Sequence, residues 1–281
     1  MSATEVDVQL PSLKLSSGDA AVFETFVVPR YLSLFGELAL GMLLLGEEAR
    51  VLNVGCRTGY PDRKIYERTG MGLVVGVDSS LPALELARNK AAALGEVNIH
   101  YHALDELPGE IDEEAFSNVL CLHPTLTDVQ RPQLFRELHS YLYAGGQAIV
   151  ALPLKGSFLE VADLFREYAL KFDDAEFAEK IEVAMASRPT IETLQEELES
   201  AGLDDIDVEI RRTEIPFDSG RAFMEDPVTR LLLIPELASW LPGTDLSRPL
   251  EYVREAIDKY WSEGKLELSL SVGCASARRS E

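Results

Sequence analysis

The chain has 281 residues, 46% of them hydrophobic, 26% charged and 8% aromatic, a composition that excludes disordered, collagenous and low-complexity classes. Its 26 basic against 48 acidic residues leave a net charge of −22. Such a surface repels nucleic acid and anionic membranes at long range, and basic residues cluster in nothing longer than pairs, such as Arg211–Arg212 and Arg278–Arg279.

Three widely spaced cysteines, Cys56, Cys121 and Cys274, form no CxxC pair. They fit a reducing compartment better than a disulfide framework or a zinc site. The amino terminus is acidic where a leader needs basic residues, and the most apolar run, 38–46, lies between Glu37 and Glu47. A cytoplasmic protein with no membrane partner is the expectation.

Residues 1–19 carry no sustained period and read as an irregular arm. From 20 to 45 apolar residues recur at helical spacing. Apolar runs with β character then follow at 50–54, 72–77, 97–102, 117–122 and 146–152, separated by helix-length segments. That alternation predicts a parallel α/β sheet, because parallel strands need crossovers. One crossover helix starts at Ser79-Ser80-Leu81-Pro82, and another covers about 128–143. Beyond Pro153 the alternation stops. Ser157-Phe158-Leu159-Glu160 has the form of a capping box opening a helical insertion that extends to about 188. Thr190 then opens a helix stopped by Gly202, followed by a strand at 206–210, a helical stretch at 218–262, and an alternating strand at 266–272, half exposed or on an antiparallel edge. The chain thus divides into an arm (1–19), a core (20–152), a helical cap insertion (153–189), and a carboxyl-terminal part of the core (190–281) interrupted by a second helical insertion at 218–262.

The sharpest local feature is Val51-Leu52-Asn53-Val54-Gly55-Cys56-Arg57-Thr58-Gly59, a strand running straight into a glycine turn. About 20 residues on, Val74-Val75-Gly76-Val77-Asp78 ends a second strand in an acid, placed to bond a ribose or to cap the helix that follows. Three residues separate Gly55 from Gly59, which is not the GxGxxG spacing, and no Walker Gly-Lys-Ser/Thr is present. The turn resembles the first motif of the class I S-adenosylmethionine (SAM) dependent methyltransferases, of the type 11-like kind. The resemblance extends through Asp78, the segment His102 to Pro108, the strand Asn118 to Leu122, and Leu142-Tyr143-Ala144-Gly145-Gly146.

That resemblance implies a Rossmann-like α/β fold with seven strands, the last antiparallel. SAM would lie over the carboxyl ends of the first two strands, and the insertions would cap a substrate cavity. The cofactor-binding candidates are Asn53, Gly55, Arg57, Gly59, Asp78 and Asp105. The motif is degenerate: Asn53 stands where the family usually has an acid, Arg57 replaces the middle glycine, and Ala103 stands where many members carry Asp, with Asp105 two residues later as its substitute. Arg57 either obstructs the methionine part of SAM or pairs with its carboxylate. His123, beside Pro124 after the fourth strand, is the catalytic candidate by residue type, or else a packing histidine. No metal is expected, since His100, His102 and His139 lack ligand spacing. The implied function is methyl transfer to a small-molecule or carrier-bound acceptor. The alternative is a catalytically inactive methyltransferase-like module with a protein partner.

Overall fold

The computed structural model describes residues 14–104 and 115–280. Five parallel strands, β1 (Arg50–Val54), β2 (Leu73–Asp78), β3 (Ile99–Ala103), β4 (Phe116–Leu122) and β5 (Leu142–Pro153), are joined by two long strands, β6 (Leu203–Phe217) and β7 (Leu266–Arg279), into one seven-stranded sheet. The order is β3-β2-β1-β4-β5-β7-β6. β7 runs antiparallel to both neighbours, so the expected Rossmann-like sheet with its last strand antiparallel is present. Of the two readings of its alternation, half exposed or on an edge, the edge does not hold: β7 lies between β5 and β6, and β6 is the edge. The direction of winding changes between β1 and β4, where open α/β sheets leave a crevice at the carboxyl ends of the strands.

The central strands are buried on both faces, which is why they read as continuous apolar runs. Val51, Val74 and Leu120 face one core, while Leu52, Val75 and Val119 face the other. The second core is covered by α5 (Arg131–Tyr141) and α8 (Ile191–Ser200), through Leu134, Phe135, Leu138, Leu194 and Leu198. The first core takes the amino-terminal helices: α1 (Ser17–Val22), a π-helical segment (Phe23–Leu32) and α2 (Ser33–Met42). Helix therefore begins at Ser17, inside the stretch read as an arm, because the Ser16 hydroxyl caps it by accepting from Asp19 N–H at 3.2 Å. On the same face lie α3 (Asp62–Thr69) and α4 (Leu81–Ala92).

The cap is built from α6 (Leu159–Lys171) and α7 (Ala175–Ala186), with α9 (Gly220–Glu225), a second π-helical segment (Thr229–Leu233), α10 (Ile234–Trp240) and α11 (Ser247–Tyr260). The capping box expected at 157–160 does not form. Phe158 takes a left-handed conformation (φ +61°) without capping the helix. Ser157 Oγ accepts instead from Ser271 N–H at 3.0 Å, and Glu160 accepts from Ser269 N–H at 3.0 Å and Ser269 Oγ at 2.9 Å. The polar groups of the motif are drawn into pairing with β7, which fixes α6 to the sheet.

Gly220 sets how closely the cap helices approach, since a Cβ there would overlap the Arg254 carbonyl on α11. Gly220→Ala is expected to lower stability by about 1–3 kcal/mol, the usual cost of overpacking, read as a fall in the urea midpoint. An unchanged midpoint would contradict this packing of α9 on α11.

Candidate functional site

β1 delivers its turn to the crevice. The amides of Gly55 and Cys56 both donate to Val77 O, at 2.9 and 3.0 Å, and Gly59 N–H donates to Cys56 O at 2.8 Å, so the turn is stapled to the end of β2. Its two glycines have different reasons to be there. Gly59 has φ +78° and is pressed against Tyr101, whose hydroxyl a Cβ would overlap. Gly55 has φ +71° and open space where a Cβ would stand, which is the condition for backbone to face a ligand.

Asn53 lies behind the turn rather than in the crevice. It is buried, and its Nδ2 donates to Asp62 Oδ1 at 2.7 Å and to Tyr60 O at 3.3 Å. Burial pushes the Asp62 carboxyl up to about 6, against the pull of the Asn53 amide. The acid usual at position 53 would meet a second buried carboxyl here, which accounts physically for the amide.

Asp78 closes β2 with both oxygens occupied by backbone: Oδ2 accepts from Arg57 N–H at 2.9 Å and Oδ1 from Ser80 N–H at 2.8 Å. Burial raises its pKa while these amides oppose the rise. Arg57 sits in the left-handed region, φ +49°, where a glycine would be unstrained. Its buried guanidinium crosses to the end of β4 and donates to Leu122 O at 3.0 Å and His123 O at 2.8 Å. The ring of Phe23 lies beneath it, with 5.8 Å between centroid and Cζ.

His123 also has positive φ, +50°. Its Nε2 is 2.9 Å from the Tyr31 hydroxyl, its ring packs edge-on against Tyr31 and Phe35, and its Nδ1 has no partner. Burial, with the nearby Arg57 charge, pushes its pKa down to about 3. The imidazole is therefore neutral near pH 7 and a weak base, poorly matched to proton abstraction at that pH. Tyr31 and Phe23 come from the amino-terminal π-helical segment, which covers the crevice. Further along, Leu15 N–H donates to Ser80 Oγ at 3.1 Å and the Ser80 hydroxyl donates to Leu15 O at 3.3 Å, tying the chain across the end of β2. Lys90 fastens the turn from the other side through Thr58 O at 2.9 Å and Glu24 at 2.6 Å.

Of the sequence candidates, Gly55, Arg57 and Asp78 come together around one cavity, completed by Leu104, Leu122 and Pro124. Asn53 and Gly59 support it from behind, and Asp105 lies outside the described residues. The cavity measures about 40 Å³, far below the ~300–1,000 Å³ of ordinary ligand sites. The donor set nevertheless suits a cationic amino acid joined to a nucleoside: two carbonyls that already hold a guanidinium cation, an open glycine, and a carboxylate at the end of β2. These residues would hold SAM only with Arg57 withdrawn, since in this structure its guanidinium takes both carbonyls. Among the described residues no cluster of three or more His, Cys, Asp or Glu is placed to hold a metal ion, and no helix is long and apolar enough to cross a membrane.

Residues 51–146 match a family model described as a methyltransferase domain. Among curated proteins none matches the sequence. The chain is similar in structure to a putative methyltransferase from Bacillus halodurans C-125, at 18% identity over 88% of this chain and 99% of that one, with a TM-score of 0.54. It is similar also to Haemonchus contortus phosphoethanolamine N-methyltransferase 2 in complex with SAM, at 16% identity over 87% of this chain and 53% of that one, TM-score 0.51. A third similar structure is the cyclase SpnF, at 17% identity over 97% and 98% of the two chains, TM-score 0.53. At these identities the likeness establishes the class I methyltransferase fold.

The Asn53–Asp62 contact yields a test. Asn53→Asp places two buried carboxyls against each other, so one of them keeps its proton well above the unfolded pKa, and stability is lost as pH rises through that range. The variant is expected to lose about 2–4 kcal/mol at pH 7.5 and less at pH 5. Adding Asp62→Asn, which reverses the pair, restores most of it. Denaturant unfolding at both pH values reads this out, and an Asn53→Asp protein as stable as wild type at pH 7.5 would contradict the geometry.

Proposed function

We propose that this chain, a class I methyltransferase fold whose residues 51–146 match a methyltransferase domain, is a SAM-dependent methyltransferase with a self-occluded cofactor site. Its methyl acceptor would be a small molecule, free or carrier-bound. The observation that carries the reading is the open Gly55 on the same cavity as Asp78, Arg57 and Leu122, with the Arg57 guanidinium held by Leu122 O and His123 O. Bound there, SAM supplies an electrophilic sulfonium methyl. Asp78 would hold the ribose end, exchanging backbone donors for hydroxyl donors. Leu122 O and His123 O would hold the cationic end in place of Arg57.

His123 is the candidate catalytic residue, and its burial favours a neutral hydrogen-bonding role over that of a base. Its Nε2 fixes the Tyr31 hydroxyl, tying the end of β4 to the amino-terminal π-helical segment. Transfer to an acceptor that is already nucleophilic needs chiefly alignment and exclusion of water, and the amino-terminal segment and cap provide the cover. The same fold serves a cyclase, and a fold does not by itself assign a chemistry. The closed 40 Å³ cavity therefore also supports the second reading, a non-catalytic methyltransferase-like module.

Calorimetric titration with SAM and its demethylated product separates the two readings. Arg57→Gly, which relieves a left-handed arginine and frees two carbonyls, is expected to bind at least about tenfold more tightly than wild type. Asp78→Ala is expected to bind at least about tenfold more weakly, the loss of a charge-assisted bond, with unfolding midpoints recorded to confirm that both variants fold. No binding by Arg57→Gly at millimolar ligand would leave the second reading standing.

A further inference from the structure

The cap encloses a second cavity, lined among others by Phe158, Phe165, Met185, Leu237 and Trp240, which also measures about 40 Å³. Three polar atoms of its lining residues are buried and have no hydrogen-bond partner: Arg188 Nε, Thr229 Oγ1 and Trp240 Nε1. The side chains that carry them are more than nine-tenths buried. An unpartnered buried donor is costly, and three such atoms belong to residues that line one apolar cavity. Two of the three atoms can only donate, and the third can donate as well, so the missing partner is a hydrogen-bond acceptor.

Charge narrows its chemistry. Arg188 Nη2 donates to Glu236 at 2.6 Å, and both side chains are buried. The guanidinium is also flanked by the rings of Phe158 and Trp240, 4.8 and 4.7 Å from their centroids. Arg188 is thus already neutralised by Glu236, and an anion would find no surplus positive charge. Thr229 stands in the second π-helical segment, a local widening of helix that recurs at functional sites. The half-buried Met185 at the rim is a side chain that repacks readily.

The position is suggestive as well. Tyr31 lies within electrostatic reach of Glu236, Arg188 and Arg57, while its hydroxyl bonds His123. Charged residues of the cap cavity and of the crevice therefore both lie near the Tyr31–His123 pair.

We propose that the cap cavity is a binding site for a neutral, largely apolar, ring-sized molecule presenting an oxygen acceptor, which widens the cavity as it enters. Naming that occupant as the methyl acceptor rests on the methyltransferase reading; the site itself does not.

The test titrates the full chain, without cofactor, with acetophenone, with its oxygen-free analogue ethylbenzene, and with benzoate. Acetophenone is expected to bind saturably and about tenfold more tightly than either of the others. Thr229→Val, which keeps shape and removes the hydroxyl, and Trp240→Phe, which removes the indole N–H together with part of the ring, are each expected to weaken acetophenone about three- to tenfold. Thr229→Val is also expected to raise the unfolding temperature of the free protein by about 2 °C or more, since it removes an unsatisfied buried group. Absence of saturable acetophenone binding, equal binding of ethylbenzene, or unchanged affinity in both variants would overturn the proposal. Acetophenone binding in a protein that never takes up SAM would retain the site and remove the methyltransferase reading, whereas SAM uptake without acetophenone binding would do the reverse.

Discussion

Two hydrogen bonds from the Arg57 guanidinium to Leu122 O and His123 O hold the crevice of this molecule shut. They bridge the end of β1 to the end of β4 across the switch point of the sheet, where an open α/β fold otherwise leaves its ligand site. Around them the other groups fall into place. Asp78 accepts from the Arg57 amide, Phe23 lies under the guanidinium, and the neighbouring charge helps keep His123 neutral. A buried cation is tolerated only if its donors are satisfied. The carbonyls that satisfy this one are also suited to the positive end of an amino-acid cofactor.

The closure has a counterpart in the cap. There too a buried arginine, Arg188, is clamped between aromatic rings and bonded to an acid, but its Nε and two neighbouring polar atoms are left without partners. One cavity is filled by the protein's own cation and the other is short of an acceptor. Tyr31, bonded to His123, lies within electrostatic reach of Arg57 and of the Arg188–Glu236 pair.

Much of this was legible in the sequence and some was not, for identifiable reasons. Strands buried on both faces announce themselves as apolar runs, and Gly55 and Asp78 follow from the order strand, turn, helix, strand, acid. The capping box at 157–160 was misleading because a local motif competes with tertiary partners, here Ser269 and Ser271 on β7. Asn53 reads as a weakened cofactor ligand until its real partner, Asp62, is seen beside it. The direction taken by the Arg57 side chain is set by β4, 65 residues away, and no local pattern encodes it. Arg188 and Glu236, 48 residues apart, carried one faint signal: Glu236 is a lone charge in the apolar stretch 231–238, and such a charge is usually buried with a partner.

On the proposed function, the Arg57 guanidinium and a bound cofactor would compete for the same two carbonyls. A crystal structure of the wild-type protein at saturating demethylated cofactor tests it most directly. Arg57 is expected to be displaced from Leu122 O and His123 O, with the ligand's amino group in its place and its ribose at Asp78. Ligand bound in the crevice while Arg57 keeps both hydrogen bonds would contradict it.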